Sequence, residues 1–389
     1  MNRSAARGWP LVAASLVFLV ALNLRPALTS VGPLLPDIAS AFALDEARQG
    51  VLGALPLIAF AAVSPLVPGI ASRLGAERTI LAALGLLAAG VVIRSTLGAG
   101  GLWAGTAVVG GAIAIGNVLV PVIVKRDFPR RMSLATGVYS ACITLGASIA
   151  SAVAVPLAGP WTWRGSLAFW ALPPLVAALL WALRLRVPAP EPDLPLAPGD
   201  APVSVWRQPT AWLVTAFMAL QSTAYYIMIT WLPTIEAAQG VSPERAGVHL
   251  FVYQLVGVAA GLAIPRLLRR PEGQVAATVT VSAPILIGAL GLALAPDGGL
   301  AWIIMIGLGT GSSLVVALAL IGIRGRTPDE TMSLSGMAQS IGYLLAAVGP
   351  VLFGAIGQAT GSWRPSLFAL AAIAALQLAV AVPAGRVRR

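Results

Sequence analysis

"MSLATGVYS", residues 132–140, returns at residues 332–340 as "MSLSGMAQS". Trp163 and Arg164 recur at the same displacement of 200 as Trp363 and Arg364. Earlier in the chain "LLPDI", residues 34–38, matches "WLPTI", residues 231–235, and Pro68 matches Pro265, both displaced by 197. A displacement that stays nearly constant over such a length marks a duplicated unit.

Composition says what is duplicated. The 389 residues are 58% hydrophobic and 10% charged, with a mean hydropathy of +0.88, whereas soluble domains are roughly a quarter charged. The chain is an integral membrane protein. A hydrocarbon core of about 30 Å takes about 20 apolar residues per helix. Such runs cover 9–35, 47–71, 79–98, 102–124, 132–157, 163–184, 207–233, 245–267, 275–295, 299–323, 332–358 and 363–384. The stretch "RLRVPAPEPDLPLAPGDAPVSVWRQP", residues 184–209, is the one long polar segment, and its prolines and lack of periodicity make it a linker. The expected fold is an all-α membrane protein of twelve transmembrane helices. A six-helix bundle over 1–186 and another over 207–389 are joined by a cytoplasmic linker, 187–206, and related by a pseudo-two-fold. Parallel repeats about an axis along the membrane normal are a sign of secondary transporters, which hold substrate near the midplane between the halves.

The excess of 25 Lys+Arg over 14 Asp+Glu would suggest nucleic acid in a soluble chain. Here the basic residues lie in short segments between apolar runs, so that partner is excluded and the positive-inside rule applies. With both termini cytoplasmic, inside segments hold nineteen of the basic residues placed, and outer segments and helix ends hold five: Arg48, Arg94, Arg164, Arg245 and Arg364. Arginine outnumbers lysine 24 to one, which with abundant Ala and Gly points to a bacterial genome of high G+C content, and so to a multi-pass protein of the inner membrane. The basic N-terminus precedes an apolar run longer than a signal peptide's, so it reads as an uncleaved first span. One cysteine, Cys142, excludes an internal disulfide and a Cys-rich metal site. No metal and no cofactor is expected.

"ALNLRPALTS", residues 21–30, places Arg25 ten residues or more from either end of its apolar run. The other basic residues can be assigned to loops or helix ends. An arginine at mid-bilayer costs at least about 2.5–3.5 kcal/mol on insertion scales and needs a partner. Every acid in the sequence falls in a loop or within about a turn of a helix end. The expected counter-charge is therefore the substrate, a small anion or electron-rich polar molecule held by charge-assisted hydrogen bonds. Pro26 removes a backbone hydrogen bond and loosens the helix beside the charge. The alternative is permanent satisfaction of Arg25 by carbonyls freed near Pro26, or by neutral oxygens on other spans.

Polar side chains within the spans are candidates for the same pocket. Asn23 lies two residues before Arg25, and Thr29, at i+4, shares its face if the helix is regular. Span seven offers Gln221 and Tyr225 on one face and Ser222 and Tyr226 on the next. Span eleven offers Gln339 and Tyr343, span five Tyr139, span four Asn117 and span eight Gln254. Each could instead make a hydrogen bond between helices, worth about 0.6 kcal/mol. His249, the one histidine, begins span eight and is a candidate proton site, with a solvated helix end as the plainer reading. Trp231 ends span seven over the expected outer cavity and is a candidate gate. "GLGTGSS", residues 307–313, lacks the strand and lysine of a phosphate loop and reads as close helix packing.

The strings "LNLRPALTSVGPLLPDI" (22–38), "QSTAYYIMITWLP" (221–233) and "LSGMAQSIGYLLAAVGP" (334–350) resemble signatures of the cyanate/2-nitroimidazole transporter family of the major facilitator superfamily. The resemblance runs through nearly the whole chain. It implies alternating access by rocking halves, and it favours the candidates in spans seven and eleven, which stand inside those strings. "PGIASRLGAER", residues 68–78, occupies the place of the superfamily's G-x-x-x-D-R-x-G-R gating motif; it keeps Arg73 and Gly75 but has Ser72 where the acid usually sits. Span five lacks the Gly-Pro signature of drug/proton antiporters.

The expectation is a monomeric secondary-active or facilitative transporter of a small anion or polar solute, and not an enzyme, since no His/Asp/Glu/Cys cluster occurs at bilayer depth. The competing reading within the superfamily is a multidrug exporter, which would want an acid in the cavity. A non-transporting sensor is left open.

Overall fold

A computed structural model describes residues 14–128, 132–185, 205–268, 273–325 and 328–386. Among the described residues there is no strand, and eleven helices are long and apolar enough to cross a membrane. The longest of these, Gly137–Arg184 with 48 residues, holds two spans, because Thr162 (φ 60°, ψ 171°) breaks the helix between Pro160 and Trp163. The described residues therefore contain the twelve spans expected.

Span 1 is Ala14–Phe42, span 2 Glu46–Leu74, span 3 Ala76–Thr96 and span 4 Gly98–Asp127. Spans 5 and 6 lie on the two sides of Thr162, at 132–161 and 163–184. Span 7 is Pro209–Ala238, span 8 Pro243–Leu268, span 9 Val275–Leu294, span 10 Pro296–Arg324, span 11 Pro328–Thr360 and span 12 Trp363–Gly385. The expected linker, 187–206, lies outside the described residues except for Val205 and Trp206, which open a turn of 3-10 helix.

Most connections are tight, and they are coded locally. Ala43, left-handed at φ 49°, stops span 1, and the Asp45 carboxylate accepts the Arg48 amide at 2.8 Å to start span 2. Gly75, at φ 83°, turns span 2 into span 3. Connections this short make sequence neighbours antiparallel.

Within the first half, span 3 packs on spans 4 and 6, and span 4 on span 2; within the second, span 9 packs on spans 10 and 12, and span 7 on spans 11 and 12. The halves meet where span 2 lies along span 11 and where span 5 lies along span 8. Under the duplication span 2 corresponds to span 8 and span 5 to span 11, so these two seams are images of one another. A third contact joins span 1 to span 7. Large apolar side chains such as Leu66, Leu97, Leu179 and Leu262 are exposed on the outer faces, as a lipid environment requires.

At the end of the bundle bearing Asp45 and Ser242 the halves approach backbone to backbone. A Cβ on Gly50 of span 2 would overlap the Pro350 carbonyl and the Val351 Cα of span 11. Small residues are what allow helices in lipid to come this close. The Gln358 side chain also accepts the Ala47 amide across this seam at 3.3 Å.

A side chain at Gly50 should push this seam apart. In a Cys142→Ser background, Ala47→Cys with Gln358→Cys should crosslink readily under mild oxidant, and adding Gly50→Val should lower the crosslinked fraction. Equal crosslinking with and without the valine would mean that the overlap is absorbed within one helix.

Candidate functional site

Span 1 is not a continuous helix. It is helical over 14–23, leaves the helix at Leu24 and Arg25, and restarts at Pro26. Proline suits a first helical position because its missing N–H would be unpaired there in any case. It also leaves the Leu22 carbonyl without the amide a regular helix would supply. Gly146 of span 5 packs directly on that carbonyl, where a Cβ would not fit.

The break points Arg25 across the seam into span 7. The residue is 7% exposed, and its Nη1 donates to the Tyr226 hydroxyl at 2.5 Å. Its Cζ lies 5.6 Å from the ring centroids of both Tyr225 and Tyr226, within cation–π range. None of the ion pairs among the described residues includes it. The bonded partner is thus a neutral oxygen on another span, one of the two alternatives the sequence left open.

Around this pair the aromatic rings form a chain. Tyr226 meets Tyr225 edge-on at 5.2 Å and Tyr343 at 6.5 Å, and Tyr343 meets Phe60 of span 2 at 5.4 Å. Tyr225 stacks on Tyr253 of span 8 at 6.3 Å, and the Tyr253 hydroxyl bonds Thr310 of span 10 at 2.8 Å. Residues from spans 1, 2, 7, 8 and 11 therefore converge on one spot. Sequence reasoning named Tyr225, Tyr226 and Tyr343 but missed Tyr253 and Phe60. For Tyr253 a signal was present, since the chain has just five tyrosines and this one sits at mid-span beside Gln254.

The remaining candidates bond locally. The Asn23 amide donates to Leu19 in its own helix at 2.8 Å, Gln221 to Ser222 at 2.7 Å, and Gln339 to Ser335 at 2.9 Å. Asn117 and Tyr139 are half-buried. Thr29 and Gln254 form a joint between spans 1, 5 and 8. The Thr29 hydroxyl donates to the Ala147 carbonyl at 2.9 Å, and the Gln254 amide donates to Ser151 at 2.8 Å and to Ala147 at 3.2 Å.

A family profile described as Major Facilitator Superfamily matches residues 17–350. The chain belongs to the Major Facilitator Superfamily. It is 39% identical over 371 residues to the 2-nitroimidazole transporter of Escherichia coli (strain K12), covering 95% of this chain and 94% of the relative. It is 28% identical over 353 residues to the cyanate transport protein CynX of the same organism, covering 89% and 90%. The fold matches a D-xylose-proton symporter structure with a TM-score of 0.78 at 14% identity, covering 95% of each chain. The chain is a transporter of this superfamily, related to those two proteins, and not an enzyme.

In this major facilitator the residues expected to gate lie away from the aromatic cluster. Ser72 and Arg73 are exposed, with the Ser72 hydroxyl donating to the Gly69 carbonyl at 2.9 Å. Charge pairing at that end falls to Glu77 instead, which meets Arg126 at 2.5 Å and Arg184 at 3.7 Å, while Arg184 and Arg126 both pair with Asp127. These bonds tie spans 3, 4 and 6 within the first half. Trp231, expected as a gate, is packed away from solvent. It is fully buried between spans 7, 11 and 12 against Phe353 and Trp363, and its indole N–H donates at 2.9 Å to the Pro350 carbonyl, the group on which Gly50 rests. The indole points inward because the Pro350 carbonyl of span 11 offers it an acceptor.

Two assignments by depth along the helix need correcting. Arg94, expected at an outer helix end, is 1% exposed, and its Nη1 donates at 2.6 Å to the Ala27 carbonyl just after the span 1 break. His249 is not a solvated helix end either: its Nδ1 pairs with Glu236 of span 7, with the two side chains 17% and 6% exposed. Both residues stand on the inward side of a helix terminus, and sequence depth cannot distinguish that side from the lipid face.

Removing the Tyr226 hydroxyl leaves a buried guanidinium donor unpaired, which costs about 1–3 kcal/mol. Tyr226→Phe should therefore lower the melting temperature in detergent, while Tyr225→Phe should change it much less. Equal melting of Tyr226→Phe and the parent would show that Arg25 does not depend on this bond.

Proposed function

We propose that the transporter carries a small anion or an electron-rich polar solute, with Arg25 as its central binding group. One observation carries this reading: a buried guanidinium at a helix break, bonded to a tyrosine hydroxyl, with no carboxylate neutralising it among the described residues. Arginine has five N–H donors and the Tyr226 bond uses one. Having accepted from Arg25, the Tyr226 hydroxyl keeps its own proton to donate. A guanidinium edge and a phenol O–H side by side fit one electron-rich group of a few atoms. The ring faces of Tyr225 and Tyr343 supply apolar walls, which suit a flat or linear solute more than a strongly hydrated one.

The names of the two relatives agree with this chemistry. Cyanate is a small anion, and a 2-nitroimidazole offers nitro oxygens to a donor pair. A cationic drug would want a carboxylate where Arg25 stands, which argues against the exporter reading. Asn23, Thr29, Asn117, Tyr139, Gln221, Ser222, Gln254 and Gln339 are proposed to shape the pocket wall and its approaches.

The two seams support a reading of alternating access. With the Gly50–Pro350 contact made, the end bearing Asp45 is shut, so the solute enters or leaves by the opposite end until the halves rock. We place that opposite, arginine-rich end in the cytoplasm of a bacterium, with the protein in the inner membrane and working as a monomer. The His249–Glu236 pair, with Arg245 near the carboxylate, bridges spans 7 and 8 of one half and is the candidate proton site if transport is proton-linked.

Arg25→Ala should abolish the thermal stabilisation that cyanate or 2-nitroimidazole gives the parent, while leaving the protein folded and monodisperse. The size of the parent's shift reports affinity. Normal transport by both Arg25→Lys and Arg25→Ala in proteoliposomes would sink the reading. For the proton site, Glu236→Gln should remove any dependence of uptake on an imposed pH gradient; an unchanged response would remove the pair from the mechanism.

A further inference from the structure

Among the described residues, Arg94 is the second guanidinium buried without a carboxylate partner. Its Nη1 is bonded to the Ala27 carbonyl, but its Nε and Nη2 are buried and have no hydrogen-bond partner. These atoms belong to a residue lining a small cavity between spans 1, 2, 3, 4, 6 and 7, where Arg94 is the charged residue in the wall. Thr106 and Thr230 add hydroxyls, and the rest is largely apolar, with Leu28, Leu52 and Ile229 among it. Tyr226 also lines this cavity. One tyrosine thus touches Arg25 through its hydroxyl and forms part of the enclosure around Arg94.

A buried charge with unbonded donors is among the costlier features a fold can carry, because the group gives up water and gains nothing back. Arginine cannot escape by losing its proton. Neutral satisfaction was within reach, since the span 1 break offers carbonyls, and Arg94 takes just one of them. Arg94 lines a space walled largely by apolar groups, where an anion would be held strongly and competing water is scarce. The cavity reaches along Leu35 and Ile38 of span 1 and Gly53 of span 2, toward the end that Gly50 and Pro350 close.

We infer that Arg94 forms a second binding station for a small anion, between Arg25 and the closed end of the transporter. The inference rests on the proposed role of Arg25 as the central site and adds the next step of the path. An anion released from Arg25 moves past Tyr226, exchanges one guanidinium for another, and leaves toward the Asp45 end when the seam opens. The bond from Arg94 to Ala27 ties the station to the span 1 break that carries Arg25. A cavity this small admits an anion of a few atoms, so it also sets an upper limit on solute size.

Bromide is the probe. Crystals of the full-length protein grown with sodium bromide should show two anomalous peaks, one within hydrogen-bond reach of Arg25 and one beside Arg94 Nη2. Arg94→Lys keeps a cation able to reach the Ala27 carbonyl but lacks the two free nitrogens. It should lose the second peak, keep the first, and slow cyanate flux in proteoliposomes by about tenfold or more. Arg94→Gln, checked for folding by gel filtration, should slow it further. A peak at Arg25 alone overturns the second station and leaves the central site standing. A peak at Arg94 alone supports the station and removes the central role of Arg25. Absence of bromide from both positions, or undiminished cyanate flux in folded Arg94→Lys, overturns the inference.

Discussion

A buried positive charge that no carboxylate among the described residues neutralises, held at a break in a membrane helix, is the constraint around which the rest of the molecule is arranged. Hydrocarbon tolerates such a charge only if it faces the interior and finds hydrogen-bond acceptors. The helix break at Leu24 and Arg25 supplies the orientation, and span 7 supplies the Tyr226 hydroxyl. Because that hydroxyl belongs to the other half of the duplicated chain, satisfying Arg25 requires the halves to be together at their centre. The close glycine contacts and the tyrosine chain then follow as packing around a fixed charge.

The fold was almost wholly legible. Twelve apolar runs, a repeat at a near-constant offset and a one-sided distribution of arginine need no tertiary knowledge, since bilayer thickness fixes helix length and the duplication fixes the pairing of halves. The 132–157 and 163–184 runs were separated correctly at Thr162, although the backbone is nearly continuous through that point. The site was half legible. Arg25 stood out because depth alone makes it anomalous, and Tyr225, Tyr226 and Tyr343 because phenols are rare here and lie in helical register with other polar residues.

What the sequence hid was direction around the helix axis. Arg94 lies two residues from the end of span 3, and by depth it reads as a headgroup arginine. Its burial arises because span 3 packs on span 4 and the residue turns inward to Ala27, a fact of packing and not of hydropathy. The same ambiguity covered Glu236 and His249, each near a helix end and each drawn inward by the other. Trp231 shows the same limit, as its place at the end of span 7 suggested a gate while the side chain is fully buried with its indole N–H on the Pro350 carbonyl. Amides such as Asn23 and Gln221 look available in a sequence because it does not show that their own helix has already taken their donors.

The duplication also shows how a two-fold scaffold comes to hold a one-sided site. At the displacement of 197 that relates spans 1 and 7, Arg25 corresponds to Ser222 and Tyr226 to Thr29. Arg94 falls opposite Gly291 or Leu294 in span 9, according to which displacement applies, and neither is charged. Around the bond from Arg25 to Tyr226 the first half supplies the buried cations and the second the aromatic hydroxyls of Tyr225, Tyr226, Tyr253 and Tyr343. The Arg25–Tyr226 bond is the place where the two inventories meet, 201 residues apart in sequence. On the proposed reading, a ligand that enters this bond would contact both halves at once, and its hold on them would change as they rock. In a symmetric pocket each half would carry an equal share, and motion of one against the other would alter binding less. Divergence of the repeats, with the scaffold kept and the charge confined to one side, would then link occupancy of the proposed site to the position of the halves.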